Sequence, residues 1–119
     1  MIKFYRTDHK VLSEITEYED NMWVCMTKPT VDETKLIAED FEIDLADVRA
    51  ALDDEESSRV EVEDGYTLIL VDIPSIEMRN EREAYTTIPL GIILVKDILI
   101  TVCAEDTPVL DAFIESKVK

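Results

Sequence analysis

The stretch DDEESSRVEVEDGYTLILVDIP, residues 53–74, changes character three times in 22 positions. It opens with four consecutive acids, passes through Ser57-Ser58, alternates polar and apolar through RVEVED (59–64), and ends in an apolar run. Alternation with a period of two marks a strand with one wet face. Asp64-Gly65 is a hairpin signal, because glycine supplies the left-handed conformation a two-residue turn requires. YTLILVDI (66–73) is then the returning strand. It is apolar from Leu68 to Val71, so the expectation is a central strand covered on both faces and closed by Pro74.

Working upstream, Leu45, Val48 and Leu52 recur at i, i+3 and i+7 after Asp44, which is a good N-cap residue. A short helix is expected there, running to about Asp53. The acids Asp53, Asp54, Glu55 and Glu56 fall at and beyond its C-terminal end, where the helix dipole disfavours negative charge. They are read as a solvated helix-to-strand turn, open to a positive visitor. Before this helix, Pro29-Thr30 marks another start. Thr30 and Glu33 have capping-box spacing, and Thr34, Ile37, Ala38 and Phe41 give one apolar face. IKFYR (2–6), VLSEIT (11–16) and MWVCM (22–26) read as three strands.

Downstream, SIEMRNEREA (75–84) reads as a polar connection. AYTTIPLGIILV (84–95), Lys96-Asp97 and ILITVCA (98–104) read as a strand pair with a two-residue turn. Thr107-Pro108 opens a last helix, with Val109, Leu110, Phe113 and Ile114 on its apolar face. The order is β-β-β-α-α-β-β-β-β-α. That order defines an α/β (α+β) fold: a mixed sheet of six or seven strands sandwiched by helices, in a single domain over 1–119.

Charge narrows the function. The chain has 28 acids against 12 bases, a net charge of −16, and residues 13–64 hold 18 of the acids but only Lys28, Lys35, Arg49 and Arg59 as bases. Such a surface repels nucleic acid and anionic bilayers, and attracts divalent cations or a basic protein. Cys25 and Cys103 are far apart with no CxxC pair, so they read as small buried hydrophobes in a reducing compartment. Trp23 and the tyrosines read as packing groups. His9 is the single histidine, which argues against a Cys/His zinc site and against histidine catalysis. With only Gly65 and Gly91, no glycine-rich phosphate loop exists, and there is no GxSxG elbow. The reading is a non-enzyme without a required cofactor. The longest apolar run, Ile88 to Val95, contains Pro89 and Gly91 and is too short to span a bilayer. A soluble, cytosolic chain is expected.

Three blocks in order resemble the N-terminal cytosolic domain of CorA-type magnesium transporters. They are WVCMTKPTVDETKLIAEDFEID (23–44), ALDDEESSRVEVEDGYTLILVDIP (51–74) and IPLGIILVKDILITVCAEDTPVL (88–110). The resemblance implies an α/β/α sandwich at the cytosolic side of the membrane, within a membrane-embedded homopentamer. The stalk and membrane helices of that family would follow where this chain ends. It also implies that acidic domains in a ring are held together by divalent cations, whose departure opens the pore. In regulated members with a Glu-Asp pair late in the second helix, the aspartate helps hold the ion between subunits. Arg49 and Ala50 stand at those positions here, and Ser57-Ser58 replaces an Arg-Pro. The candidate metal residues are therefore Asp47, Asp53 and Asp54, binding Mg²⁺ (or Co²⁺, Ni²⁺ or Zn²⁺) weakly. On its own the domain is expected to be a monomer or a weak oligomer. The alternative is a soluble acidic interaction module of the same fold that binds a basic protein and ignores metal.

Overall fold

The computed structural model describes residues 1–8, 10–53, 56–79 and 82–105, with side chains described at all of these except 8, 75–79 and 82–86. The strands are β1 (Ile2–Asp8), β2 (Val11–Ile15), β3 (Met22–Thr27), β4 (Arg59–Glu63), β5 (Tyr66–Arg79), β6 (Arg82–Val95) and β7 (Ile98–Cys103). Between β3 and β4 lie α1 (Val31–Asp40), α2 (Leu45–Val48) and a 3-10 turn, Ala50–Leu52. The expected helix after Thr107, and His9, lie outside the described residues.

All seven strands form one sheet, in the order β2-β1-β3-β7-β6-β5-β4. Every pairing is antiparallel except β3 with β7, which is parallel and matches Val24 to Ile100 and Met26 to Val102. This mixed seven-stranded sheet with a few helices is the fold class expected from the sequence.

Met22, Val24, Met26, Leu68, Leu70, Ile93, Val95, Ile100 and Val102 form the sheet's contribution to the main core. Ile37, Ala38, Ile43, Val48, Ala50 and Ala51 press on them from the helical segment. The opposite face carries Tyr5, Leu12, Trp23 and Cys25 in one cluster and Ile73, Leu90 and Cys103 in another. On that face the Trp23 Nε1–H donates to Thr101 Oγ1 at 2.9 Å, so the indole is buried without an unmet donor. Both cysteines are buried thiols outside any disulfide among the described residues, and burial pushes the Cys103 thiol above its ordinary value.

The local signals at the helix starts hold. Thr30 N–H donates to Glu33 Oε1 at 2.8 Å, and Glu33 N–H donates to Thr30 Oγ1 at 3.1 Å, a complete capping box. Asp44 Oδ1 accepts from Ala46 N–H at 3.0 Å. The second helix, however, stops at Val48. From Arg49 the chain tightens, with Leu52 N–H donating to the Arg49 carbonyl at 2.9 Å, an i+3 bond. This tighter turn packs onto the floor of the sheet at Gly91, where an added Cβ would sit 3.1 Å from Ala51 Cβ.

Three expectations need correction. The segment 75–84 is no loop, because β5 runs on to Arg79 and β6 begins at Arg82, with Ile76 opposite Tyr85 and Met78 opposite Glu83. Pro74 does not end β5. It pairs with Thr87, past Leu70, where the β4 ladder stops, and Pro89 of β6 likewise lies just past Leu90, where the β7 ladder stops. Among the described residues, both prolines sit where one strand edge is open, which is where a missing N–H costs least. Nor is β5 central: it lies next to the edge, with Leu68 and Leu70 buried and Ile69 and Val71 half-buried.

Gly91→Ala is expected to destabilise the chain by about 1–3 kcal/mol, through overpacking against Ala51. Ala51→Gly in the same chain should recover part of that loss. Urea unfolding of the wild type and the two variants checks it, and equal losses for the single and double variants would sever Gly91 from Ala51.

Candidate carboxylate site

The wet face of β4 is the inner one. The two-residue turn at Asp64-Gly65, with Gly65 at φ 93°, pairs Glu63 with Tyr66, Glu61 with Leu68 and Arg59 with Leu70. Leu68 and Leu70 point into the main core, so Arg59, Glu61 and Glu63 share the helical face of the sheet. The valines are turned outward, Val60 65 % exposed and Val62 80 % exposed. The pattern alone shows one wet face but not which one, and the register decides it.

This register brings β4 up to α2. Asp47, Glu61 and Glu63 place one carboxylate oxygen each within 4.8 Å of one another. Asp47 and Glu61 are half-buried and Glu63 is exposed. Tyr66 ties the group to the helix: its hydroxyl donates to Asp47 Oδ2 at 2.5 Å and accepts from Asp44 N–H at 3.3 Å. Burial, and then the hydrogen bond to Asp47, push the Tyr66 phenol up to about 12. On the strand, Arg59 Nε donates to Glu61 Oε1 at 2.7 Å, and Arg59 Nη1 donates to Glu56 Oε2 at 2.5 Å. The guanidinium therefore already neutralises part of the cluster.

The three candidate residues have different fates. Asp47 is a member of the carboxylate group. Asp53 is exposed, follows the 3-10 turn, and is not among the described acids that converge there. Asp54 lies outside the described residues. Glu61 and Glu63 were not singled out from sequence, and the signal that finds them is hairpin arithmetic: a two-residue turn puts odd positions of β4 opposite even positions of β5. Of the opening acids, Glu56 is half-buried and paired with Arg59 rather than simply solvated. Arg49 donates from Nη1 to Thr34 Oγ1 at 3.0 Å, bridging the two helical segments.

An all-oxygen donor set of three carboxylates suits a hard cation such as Mg²⁺, which commonly keeps several waters. Two of the carboxylates already hold partners in Tyr66 and Arg59, so an ion here would compete with a phenol and a guanidinium.

The mixed sheet carries its helical crossover on one face, and an acidic group lies where that crossover meets the edge strand. The chain belongs to the CorA-like Mg²⁺ transporter protein family, whose family model matches residues 18–117. It is similar to the soluble domain of CorA from Methanocaldococcus jannaschii, with a TM-score of 0.78 and 21 % identity, over 97 % of this chain and 45 % of that one. The complete CorA magnesium transporter of the same organism matches with a TM-score of 0.73 and 16 % identity, over 98 % of this chain and 36 % of that one. The ZntB cytoplasmic domain from Vibrio parahaemolyticus RIMD 2210633 matches with a TM-score of 0.69 and 16 % identity, over 98 % of this chain and 50 % of that one. This chain thus spans half or less of the length of each of these solved chains. No curated protein matches it. Among the described residues, no helix is long and apolar enough to cross a membrane.

Tyr66→Phe should lower stability by about 1 kcal/mol, by leaving Asp47 and the Asp44 amide without their shared partner. A phenol whose folded pKa is raised stabilises the fold fully below its unfolded value near 10, and that contribution is lost as pH rises from about 10 through about 12. The wild-type chain should therefore lose more stability than Tyr66→Phe across that window. Denaturant titrations at stepped alkaline pH check it, and parallel pH profiles would remove Tyr66 as a linkage group.

Proposed function

We propose that this chain is the cytosolic N-terminal domain of a CorA-like divalent-cation transporter, in which it contributes to subunit assembly and ion-dependent gating. The observation that carries the reading is coverage: a family match over residues 18–117, and a fold shared over 97 % of this chain with the soluble domain of CorA. In this reading the whole protein is a membrane-embedded homopentamer, with this domain on the cytoplasmic side. The cargo is a divalent cation, Mg²⁺ or one of Co²⁺, Ni²⁺ and Zn²⁺.

The chain's own contribution is electrostatic. Acidic domains gathered in a ring repel one another, and cations held between them relieve that repulsion. An ion bound more tightly in the closed ring shifts the population toward closure, and its loss releases it. Asp47, with Glu61 and Glu63, is the part of this surface where carboxylates converge, and we assign it the ion-responsive role. Arg59 sets a threshold there, since the cation must outcompete a bound guanidinium.

The test is thermal unfolding with and without millimolar Mg²⁺, at an ionic strength held constant with a monovalent salt. Binding to the folded chain raises the midpoint according to RT ln(1 + [L]/Kd). A rise with Mg²⁺ that Asp47→Asn removes is the expected result. No rise, together with tight salt-sensitive binding to a basic protein, would replace this reading with a metal-indifferent interaction module. Joined to a stalk and membrane helices, the domain should support Mg²⁺ uptake that falls as internal Mg²⁺ rises. Absence of any divalent flux would overturn the transporter assignment.

A further inference from the structure

The outer edge of the sheet carries a strand that matches its own reverse. β4 is terminal in the strand order, so one of its two hydrogen-bonding edges has no strand beyond it among the described residues. In a two-residue hairpin the residues flanking the turn are a hydrogen-bonded pair, and bonded and non-bonded pairs alternate from there. Glu63 pairs with Tyr66 across the turn, so Glu63, Glu61 and Arg59 direct their N–H and C=O groups inward to β5. Val62 and Val60 direct theirs to the open edge. The same two valines expose their side chains, at 80 % and 65 %, the largest values among the exposed apolar side chains described. They share a face of the sheet with Ile69, opposite Val60, and with the exposed Leu94, which lies beyond Thr67 from Val62.

We propose that β4 pairs antiparallel with β4 of a second copy of this chain, in the register centred on Glu61. In that register Val60 of one copy faces Val62 of the other in both directions, and these are the residues whose backbone groups point outward. Four new backbone hydrogen bonds form, and four valines meet on one face. On the other face Arg59 of each copy faces Glu63 of its partner, an opposite-charge pair directly across the strands. Only Glu61 meets its own kind, and each Glu61 already holds an Arg59 Nε at 2.7 Å, which offsets the repulsion. A foreign strand would have to reproduce this alternation, whereas a second copy supplies it by symmetry. The contact is isologous, so it joins copies two at a time and differs from the heterologous contact that builds a ring. It does not rest on the transporter reading. A net charge of −16 on each copy opposes it, so the association is expected to be weak and to strengthen as monovalent salt screens that repulsion.

Sedimentation equilibrium of the whole chain, from about 10 µM to about 1 mM in moderate salt, tests the pairing. A reversible dimer is expected. Val62→Pro removes an outward N–H from an edge strand without touching the β5 ladder, and should raise the dissociation constant at least about tenfold with the unfolding midpoint little changed. Arg59→Glu should weaken the dimer similarly, and Arg59→Glu with Glu63→Arg should restore it by exchanging the facing charges. A chain that stays monomeric throughout would overturn the proposal. So would a dimer indifferent to these substitutions, or a double variant that fails to restore association.

Discussion

The parallel seam between β3 and β7 holds the molecule together. Two antiparallel units, β2-β1-β3 and β7-β6-β5-β4, meet only there in the sheet, through five registered pairs from Trp23–Leu99 to Thr27–Cys103. Parallel strands cannot be joined by a tight turn, so the intervening chain must cross the sheet. The first part of it does so as α1, α2 and the 3-10 turn. Both faces of the seam are buried. Val24, Met26, Ile100 and Val102 lie under the helices, while Trp23, Cys25 and Thr101 lie on the other side with the indole bonded to the threonine hydroxyl.

The position of the carboxylate group follows from this. Because the helical segment lies on one face, and the tight turn at Ala51 is seated on Gly91 of β6, α2 is delivered above β5 and β4. Tyr66 then joins strand to helix through Asp47 and Asp44. At the same edge Arg59 bridges Glu56 and Glu61. Acid-rich surface is common in this chain, but convergence of carboxylates is local, and it arises from packing rather than from consecutive acids in sequence. The open edge of β4 is the same strand seen from outside. Its charged residues serve the helical face and its valines are left to solvent.

Much of the fold was legible because its signals are local. The capping box at Thr30 and Glu33, the cap at Asp44, the turn at Asp64-Gly65 and the turn at Lys96-Asp97 each depend on a few adjacent residues, and each appears where the sequence puts it. Lys96 takes φ 55° in its turn, the left-handed conformation that a two-residue hairpin turn favours. What was misread or left open fell where partners decide. Whether RVEVE turns its valines in or out depends on register with β5, not on its own alternation. Residues 75–79 and 82–84 are polar enough for a loop, yet each strand supplies the other's backbone partners, and no side-chain pattern is needed for that. Pro74 reads as a strand end only if both edges are assumed paired. Asp47 was named for its place beside Arg49-Ala50, where the resemblance puts the ion pair, whereas its convergence with Glu61 and Glu63 required the sheet.

Native-state hydrogen exchange of the backbone amides tests the seam most directly. If β3 and β7 join the two antiparallel units, the protected amides of Val24–Met26 and Ile100–Val102 should be the slowest in the chain. They should also open together, at the free energy of global unfolding. The outward amides of Val60 and Val62 should exchange quickly in dilute solution. Opening of β7 with its antiparallel partners while β3 stays protected, each at its own lower free energy, would contradict a single core built on the seam.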